Sequence, residues 1–176
     1  MPIIFFCQNN QWAISTPTST QMGAPLHQRA AGFGLRSYHV DGNDVHAVHA
    51  VTREAADRVR AGEGPALIEA ETFRMAGHST SDDPGRYRSQ ADVDLWQSRD
   101  PLTRSEALLR TLGTPDEWFE QLSDELTAFG DEIRETCRGL AGPEFAELFG
   151  AVYSDPHAIL DLERADHLRH REGSSQ

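Results

Sequence analysis

The chain contains no lysine, so each of its 16 basic side chains is an arginine guanidinium. These arginines stand against 28 acidic residues, which gives a formal net charge of −12. Nucleic acids and anionic membrane surfaces both attract proteins that present a basic surface. A chain this acidic is therefore a poor candidate for either kind of partner, and we expect it to bind no nucleic acid and no membrane.

The sequence is also poor in cysteine and in long apolar runs. Cys7 and Cys137 are too few and too far apart to predict a disulfide framework or a zinc site. No apolar run approaches the roughly 20 residues that span a bilayer, and no basic, apolar leader opens the chain. These absences favour a reduced compartment, and we expect a cytoplasmic protein.

Charge and periodicity divide the sequence into two regions. Residues 1–89 carry 8 arginines and 9 acidic residues, whereas residues 90–176 carry 8 arginines and 19 acidic residues. The second region has the pattern of helices, beginning near residue 93 and at residues 102, 115 and 156. We therefore predict an α/β portion over residues 1–89 and a helical carboxyl-terminal region over residues 90–176.

The first region has the pattern strand, helix, strand, helix, strand, which is typical of a parallel α/β sheet. The predicted strands are residues 2–7, 36–40 and 66–70, and the predicted helices are residues 26–31 and a segment from Asn43 or Asp44 to Gly62. Three strands make an incomplete sheet, because an apolar run such as residues 2–7 needs neighbours on both sides. We expect an unpaired edge that invites association with other chains.

Two asparagines follow the first predicted strand. Asn9 and Asn10 come directly after an apolar run and one glutamine. Cofactors bind at the carboxyl ends of strands in open α/β sheets. An amide oxygen is a neutral hard ligand that suits Mg²⁺ when carboxylates and phosphates supply the charge. A simple turn is the alternative interpretation, because asparagine tolerates left-handed backbone angles and caps helices.

Three sequence blocks favour the cofactor interpretation. They are FFCQNNQWAISTP at residues 5–17, VDGNDV at residues 40–45 and TFRMAGHSTSDDPGRYRS at residues 72–89. In this order they resemble the alpha subunit of 2-oxo acid dehydrogenases. These are thiamine diphosphate enzymes that decarboxylate a 2-oxo acid and pass its acyl group to a lipoyl carrier. Three blocks at matching spacing form a strong signal, whereas one alone would be weak.

The acidic segment that opens the family's cofactor motif, Gly-Asp-Gly or Gly-Glu-Gly, is absent from the 176 residues. In the family its acid binds Mg²⁺, and a helix and a strand separate it from the paired asparagines. The resemblance therefore implies the carboxyl-terminal half of such a subunit, with a partial thiamine diphosphate-binding fold. The implied partners are the beta subunit in a heterotetramer, the lipoyl acyltransferase and a small 2-oxo acid. The beta subunit supplies the glutamate that activates the cofactor, so no residue here receives that role.

The same resemblance implies roles for five residues. Asn10 would offer its side-chain oxygen to Mg²⁺, and Trp12 would offer its backbone carbonyl. Gln8 stands where some relatives have an arginine facing the diphosphate, and its uncharged amide would make a weaker contact. Ile14 would pack near the aminopyrimidine ring, although core packing is an equal alternative. His78 would reach the terminal phosphate and is the one catalytic residue predicted.

The third block also indicates a substrate class. The sequence STSDD at residues 79–83 is more similar to the branched-chain class than to the pyruvate class. We expect the block to be ordered by pairs of its basic and aromatic residues with Asp82 and Asp83, and surface ion pairing is the alternative. The residues concerned are Arg74, Arg86, Tyr87 and Arg88.

Two other functions stay open from the sequence. The chain could belong to the pyruvate or acetoin version of the same subunit. It could also be a non-catalytic fragment that acts only as a binding or structural piece.

Overall fold

A computed structural model describes residues 1–150 and 152–173. The chain divides into two compact units, Met1–Pro115 and Asp116–Gln176. The boundary drawn between residues 89 and 90 marks a change in charge and in periodicity, and it stays a prediction.

The first unit combines a parallel sheet with helices. Its elements are β1 (Ile4–Asn9), β2 (Trp12–Ala13), β3 (Thr16–Pro17), α1 (Thr18–Gln21), α2 (Leu26–Ala30), β4 (Arg36–Asp41), α3 (Val45–Arg60), β5 (Ala66–Glu71), α4 (Gln90–Gln97) and α5 (Pro101–Thr111), with short 3₁₀ turns at Ala31–Phe33 and Pro84–Arg86. Strands β1, β5 and β4 form the sheet in that order, and both pairings are parallel. The predicted α/β class is thereby confirmed. The antiparallel pair of β2 and β3 lies in residues 12–17, where the sequence predicts neither a strand nor a helix.

The described part of the second unit is helical. It contains α6 (Asp116–Gly139), α7 (Phe145–Gly150) and α8 (Ala158–Gly173). Helix α7 is absent from the sequence prediction because six residues are too few to show a helical period. None of the helices among residues 1–150 and 152–173 combines the length and the apolar character that a membrane span requires.

One face of the sheet packs against α3. The buried apolar side chains at this contact are Val40, Ala55, Val59, Ala66, Ile68 and Ala70. Strand β1 lies at the edge and pairs with β5 alone among the described residues. Phe5 and Phe6 on β1 are therefore half exposed. This exposed apolar edge agrees with the predicted incompleteness of the sheet.

Asp44, rather than Asn43, caps helix α3. Its carboxylate accepts hydrogen bonds from the backbone N–H groups of His46 and Ala47, both at 3.0 Å. The bond from Ala47 is the main cause that lowers the pKa of Asp44, and the guanidinium of Arg104 lowers it further. Arg104 also lies 2.8 Å from the carboxylate of Asp41, so α5 is tied to the carboxyl end of β4.

Gly42 lies where the chain leaves β4 and passes close to the end of β5. Its N–H donates to the carbonyl oxygen of Glu71 at 2.7 Å. A Cβ atom at this position would lie 2.5 Å from Cγ2 of Thr72 and 2.7 Å from the carbonyl oxygen of Glu71. Because the second contact is with backbone, rotation of a side chain cannot relieve it. These contacts explain why the block at residues 40–45 has a glycine at position 42: no side chain fits there.

We expect Gly42→Ala to lower the free energy of unfolding by about 1–3 kcal/mol, because the ends of β4 and β5 must move apart to accept a methyl group. Urea unfolding followed by circular dichroism measures the change. Gly23→Ala is the matched control, since a Cβ there meets no atom within 4 Å. Equal unfolding midpoints for the two variants would contradict this steric explanation.

Candidate functional site

The carboxyl ends of the three parallel strands meet at one edge of the sheet. The register places Asn9 of β1 and Asp41 of β4 on either side of Glu71 of β5. Beyond the strands, the N–H of Thr72 donates to the carbonyl oxygen of Asn9 at 2.9 Å, and the N–H of Arg74 donates to that of Asn10 at 3.2 Å. The first and third sequence blocks therefore run side by side.

Both asparagine side chains take part in local turns. The amide oxygen of Asn9 accepts from the backbone N–H of Gln11 at 3.0 Å, and that of Asn10 accepts from the N–H of Trp12, also at 3.0 Å. These are the Asx turns that the simpler interpretation predicts. An amide oxygen has two lone pairs, however, so Asn10 keeps the capacity to bind a cation at the same time.

The turn that follows holds two residues in the left-handed backbone region. Gln11 has φ 68° and Ile14 has φ 53°. A positive φ is a genuine outlier for a β-branched residue. Ile14 is also 59 % exposed, so it does not pack into the core of the first unit. Its carbonyl oxygen accepts from the guanidinium of Arg74, which belongs to the third block. Strain of this kind clusters at functional sites.

Trp12 connects the turn to the third block by aromatic contacts. Its ring lies edge-on to Phe73 at 6.4 Å and tilted against Tyr87 at 5.3 Å. Phe73 in turn stacks on Trp96 of α4 at 5.5 Å. The indole Nε1 of Trp12 is buried and has no hydrogen-bond partner within the described part of the chain. Trp12 therefore packs the turn, and the role of its carbonyl as a metal ligand stays a prediction.

A hydrogen-bond network orders the loop between β5 and α4. The hydroxyl of Tyr87 donates to Asp82 and accepts from Arg74, the latter at 2.9 Å. Asp82 also accepts from the backbone N–H of His78 at 2.8 Å. Arg88 donates to the carbonyl oxygen of Arg74. The third block is therefore ordered through its own side chains, as the sequence predicts.

The expected direct pairs between loop arginines and the two aspartates are wrong for the described residues. Tyr87 stands between Arg74 and Asp82 and bridges them through its hydroxyl. Asp83 instead accepts from the backbone N–H of Gly85 at 3.2 Å. Such side-chain caps of tight turns are invisible to an argument from charge alone.

The structure joins some of the predicted site residues and leaves others apart. Asn10, Trp12 and Ile14 share one turn, and Arg74 links that turn to the loop that carries His78. The side chains of Gln8 and His78 are exposed, and neither makes a side-chain hydrogen bond within residues 1–150 and 152–173. Both side chains are therefore accessible to a ligand, and their predicted contacts with a diphosphate stay predictions.

A buried carboxylate on β5 forms a cluster that the sequence analysis missed. Glu69 is only 2 % exposed. It accepts from the amide of Asn9 at 2.8 Å and from the backbone N–H of His27 at 2.7 Å. Burial by itself raises the pKa of Glu69, but these hydrogen bonds outweigh it and the pKa lies below its usual value. A charged residue inside the strand at residues 66–71 is the one signal that the sequence offers for this cluster.

A cavity of about 530 Å³ opens beside this cluster in the first unit. Its polar wall contains Asn9, Glu69, Glu71, His27 and His39. Trp12, Phe73 and Trp96 form an aromatic wall. The predicted cofactor residues other than Trp12 do not line this cavity; these are Gln8, Asn10, Ile14 and His78.

Comparison with known proteins supports the resemblance that the paired asparagine segment and the loop beside it carry. Residues 1–138 match the family described as dehydrogenase E1 component. The chain belongs to this family. Family membership implies the use of thiamine diphosphate, and it confirms the resemblance that the three sequence blocks carry.

Individual relatives are similar over nearly the whole chain. The 3-methyl-2-oxobutanoate dehydrogenase subunit alpha of Mycobacterium tuberculosis (strain CDC 1551 / Oshkosh) is 45 % identical, over 93 % of this chain and 45 % of that protein. The mitochondrial 2-oxoisovalerate dehydrogenase subunit alpha of Mus musculus is 41 % identical, over 96 % and 39 %. The pyruvate dehydrogenase E1 component subunit alpha of Acholeplasma laidlawii is 36 % identical, over 98 % and 51 %. The chain therefore spans about half or less of the length of these curated relatives.

The loop network predicts how Asp82 responds to protonation. The hydrogen bond from Tyr87 is the main cause that lowers the pKa of Asp82, followed by the bond from the N–H of His78. The ionised carboxylate of Asp82 therefore stabilises the folded loop at a pH above the ordinary aspartate pKa of about 3.9. This stabilisation is lost as the pH falls through the lower pKa of Asp82 in the folded state. Asp82→Asn imitates the protonated form at neutral pH. We expect trypsin, which cuts after arginine, to cleave the loop at residues 72–89 roughly two- to fivefold faster in this variant.

Asp83→Asn is the matched control for this experiment, because among residues 1–150 and 152–173 the side chain of Asp83 accepts only the N–H of Gly85, in a local turn. Mass spectrometry of the early fragments identifies the cleavage sites. Unchanged cleavage in Asp82→Asn, or the same acceleration in both variants, would contradict the role of Asp82 in ordering the loop.

Proposed function

We propose that the chain is part of the decarboxylating component of a branched-chain 2-oxo acid dehydrogenase complex. In this component the first unit contributes one wall of a site for thiamine diphosphate and Mg²⁺. The observation that carries the proposal is the apposition of the paired asparagines and the loop at residues 72–89. The backbone bond from Arg74 to Asn10 at 3.2 Å and the contact of the Arg74 guanidinium with Ile14 join the two segments.

The oxygen atoms at this edge fit part of a magnesium site. Asn10 offers a neutral amide oxygen and Trp12 a carbonyl oxygen, and both kinds of ligand suit Mg²⁺. The bond between the side chain of Asn10 and the N–H of Trp12 holds the two residues in one turn. The acidic segment that supplies the carboxylate ligand in the family, Gly-Asp-Gly or Gly-Glu-Gly, is absent from the 176 residues. The proposal therefore assigns the acidic ligand to a segment that this sequence does not contain.

Each predicted residue has a specific role in this proposal. Thiamine diphosphate, when bound, supplies a nucleophilic carbon and accepts the electrons that decarboxylation releases. Asn10 and Trp12 hold Mg²⁺, and Gln8 donates a neutral hydrogen bond toward the diphosphate. Ile14 presents its exposed side chain to the aminopyrimidine. His78 would donate a hydrogen bond from its imidazole to the terminal phosphate, and the loop that carries it would exclude water from the site.

The substrate and partners follow from the relatives. The names of two of them specify 3-methyl-2-oxobutanoate and 2-oxoisovalerate, which are one compound. We accordingly propose a branched 2-oxo acid as the substrate, a beta subunit as the partner that completes the site, and a lipoyl acyltransferase as the acceptor of the acyl group. The cytoplasm is the proposed compartment. The lower identity to a pyruvate dehydrogenase subunit, 36 %, supports the branched-chain substrate over pyruvate.

The experiment uses an assembly of this chain with the remaining portion of the alpha subunit and the beta subunit. We expect Asn10→Ala to weaken Mg²⁺-dependent binding of thiamine diphosphate at least tenfold, about 1.4 kcal/mol, and to abolish turnover of 2-oxoisovalerate. Calorimetry measures the binding, and reduction of lipoyl groups measures the turnover. Asn43→Ala is the control, because Asn43 is another half-buried asparagine at the end of a strand.

Three outcomes would overturn parts of the proposal. Equal binding by Asn10→Ala and Asn43→Ala would remove Asn10 from the metal site. Preferred turnover of pyruvate would replace the substrate. Tight binding of thiamine diphosphate and Mg²⁺ by the 176-residue chain alone would contradict the assignment of the acidic ligand to another segment.

A further inference from the structure

Three potential metal ligands converge on the face of the sheet opposite α3. His39 of β4 and Glu69 of β5 are register partners on adjacent strands. Because Ile68 and Ala70 pack against α3 and side chains alternate along a strand, Glu69 points to the other face. Helix α2 brings His27 to the same place. One ligand atom of each of the three residues lies within 4.8 Å of those of the other two.

The contacts among these residues are close. Nδ1 of His27 lies 2.7 Å from Oε2 of Glu69. The rings of His27 and His39 are stacked, with centroids 4.4 Å apart and planes inclined by 10°. The other oxygen of Glu69 is held by the amide of Asn9 at 2.8 Å. Oε2 also accepts the backbone N–H of His27 at 2.7 Å, so both oxygens of the carboxylate are held in place beside the two imidazole rings.

A simple ion pair accounts for only part of this arrangement. His27 alone is enough to pair with Glu69, yet a second imidazole is stacked beside it. His39 also has a carboxylate behind it, since its Nε2 lies 3.1 Å from Oε2 of Glu71. Imidazoles that bind metals commonly donate their other N–H to a carboxylate in this way. The group thus has the composition of a metal site with an outer carboxylate.

We propose that His27, His39 and Glu69 form a binding site for a divalent transition-metal ion such as Zn²⁺. Two nitrogen ligands and one carboxylate oxygen are typical of zinc sites with three protein ligands. Mg²⁺ and Ca²⁺ prefer oxygen ligands only, so they fit this set poorly. The fourth position would face the cavity of about 530 Å³, which all three residues line. A water molecule or a small ligand completes the coordination there.

Binding requires the His39 ring to tilt out of its stack on His27, because an imidazole nitrogen binds a metal in the plane of its ring. Bonds of about 2.0–2.2 Å to zinc place tetrahedral ligand atoms roughly 3.3–3.6 Å apart. The longest separation in the present group, up to 4.8 Å, must therefore contract by roughly 1.2–1.5 Å. Nδ1 of His27 and Oε2 of Glu69 are already close, and the ion replaces the proton between them. The side chain of His39 is 45 % exposed, so its ring is free to tilt out of the stack. None of the three residues is among those assigned to Mg²⁺ above, and the proposal does not rest on the proposed function.

Cobalt is a suitable spectroscopic probe, because four-coordinate Co²⁺ absorbs visible light much more strongly than hydrated Co²⁺. The 176-residue chain, first treated with a chelator, is titrated with Co²⁺ and then with Zn²⁺. We expect one Co²⁺ per chain with strong visible bands, and Zn²⁺ should remove these bands. Zn²⁺ should also raise the melting temperature, since it binds the folded state.

His39→Ala is the principal variant, because this half-exposed side chain is not part of the buried core. We expect it to weaken Co²⁺ binding at least tenfold and to lose the visible bands. His49→Ala is the matched control, since His49 is an exposed histidine on α3 outside the cluster, and it should bind as the unaltered chain does. Glu69→Gln keeps the side-chain volume and should weaken binding to a similar degree.

Circular dichroism verifies that each variant is folded before it is titrated. Absence of saturable Co²⁺ binding by the folded, unaltered chain would overturn the proposal. Equal affinities of His39→Ala and His49→Ala would overturn it as well, because the ion would then be bound elsewhere.

Discussion

The hydrogen-bond register of β5 with its two neighbours is the constraint on which the rest of the first unit depends. This strand lies between β1 and β4 and aligns Glu71 with Asn9 and with Asp41. One face of β5 buries Ile68 against α3, and the other face places Glu69 beside Asn9. The chain that leaves β5 then carries the loop at residues 72–89 past Asn10. A shift of one residue in this register would exchange the two faces of β5. It would separate the residues aligned at the sheet edge and also those around Glu69.

The buried carboxylate of Glu69 is connected through Asn9 to the turn that carries the candidate magnesium ligands. An unpaired carboxylate in the interior costs several kcal/mol, so its partners are as necessary as the strand itself. One partner is the side-chain amide of Asn9, and the next residue, Asn10, begins the turn that contains Trp12 and Ile14. The hydrogen bond to the buried carboxylate of Glu69 therefore fixes the orientation of the Asn9 side chain. The candidate magnesium ligands stand on a segment whose first side chain is held by a buried charge.

The sequence predicts the features that depend on local patterns. Apolar runs indicate the strands, and parallel strands place their carboxyl ends together, so the neighbourhood of Asn10 and the loop at residues 72–89 follows from the pattern. The cluster of His27, His39 and Glu69 does not follow, because these residues are distant in the chain and share no period. The sequence also fails to predict the bridge that the hydroxyl of Tyr87 forms between Arg74 and Asp82. Opposite charges predict that an arginine and an aspartate attract each other, but they do not predict that a tyrosine lies between them.

The charges at the sheet edge favour a metal ion as part of the proposed cofactor site. A diphosphate bound there would lie on an edge that carries two carboxylates, that of Asp41, which pairs with Arg104 at 2.8 Å, and that of Glu71, which lies 3.1 Å from Nε2 of His39. The guanidinium groups of Arg74 and Arg88 donate to backbone carbonyl oxygens of the turn and the loop, and Gln8 adds no charge. The proposed Mg²⁺ would therefore supply positive charge in direct contact with the phosphates, and His78 would add a hydrogen bond. In a site built this way the proposed ion would help to bind the cofactor as well as aid the chemistry.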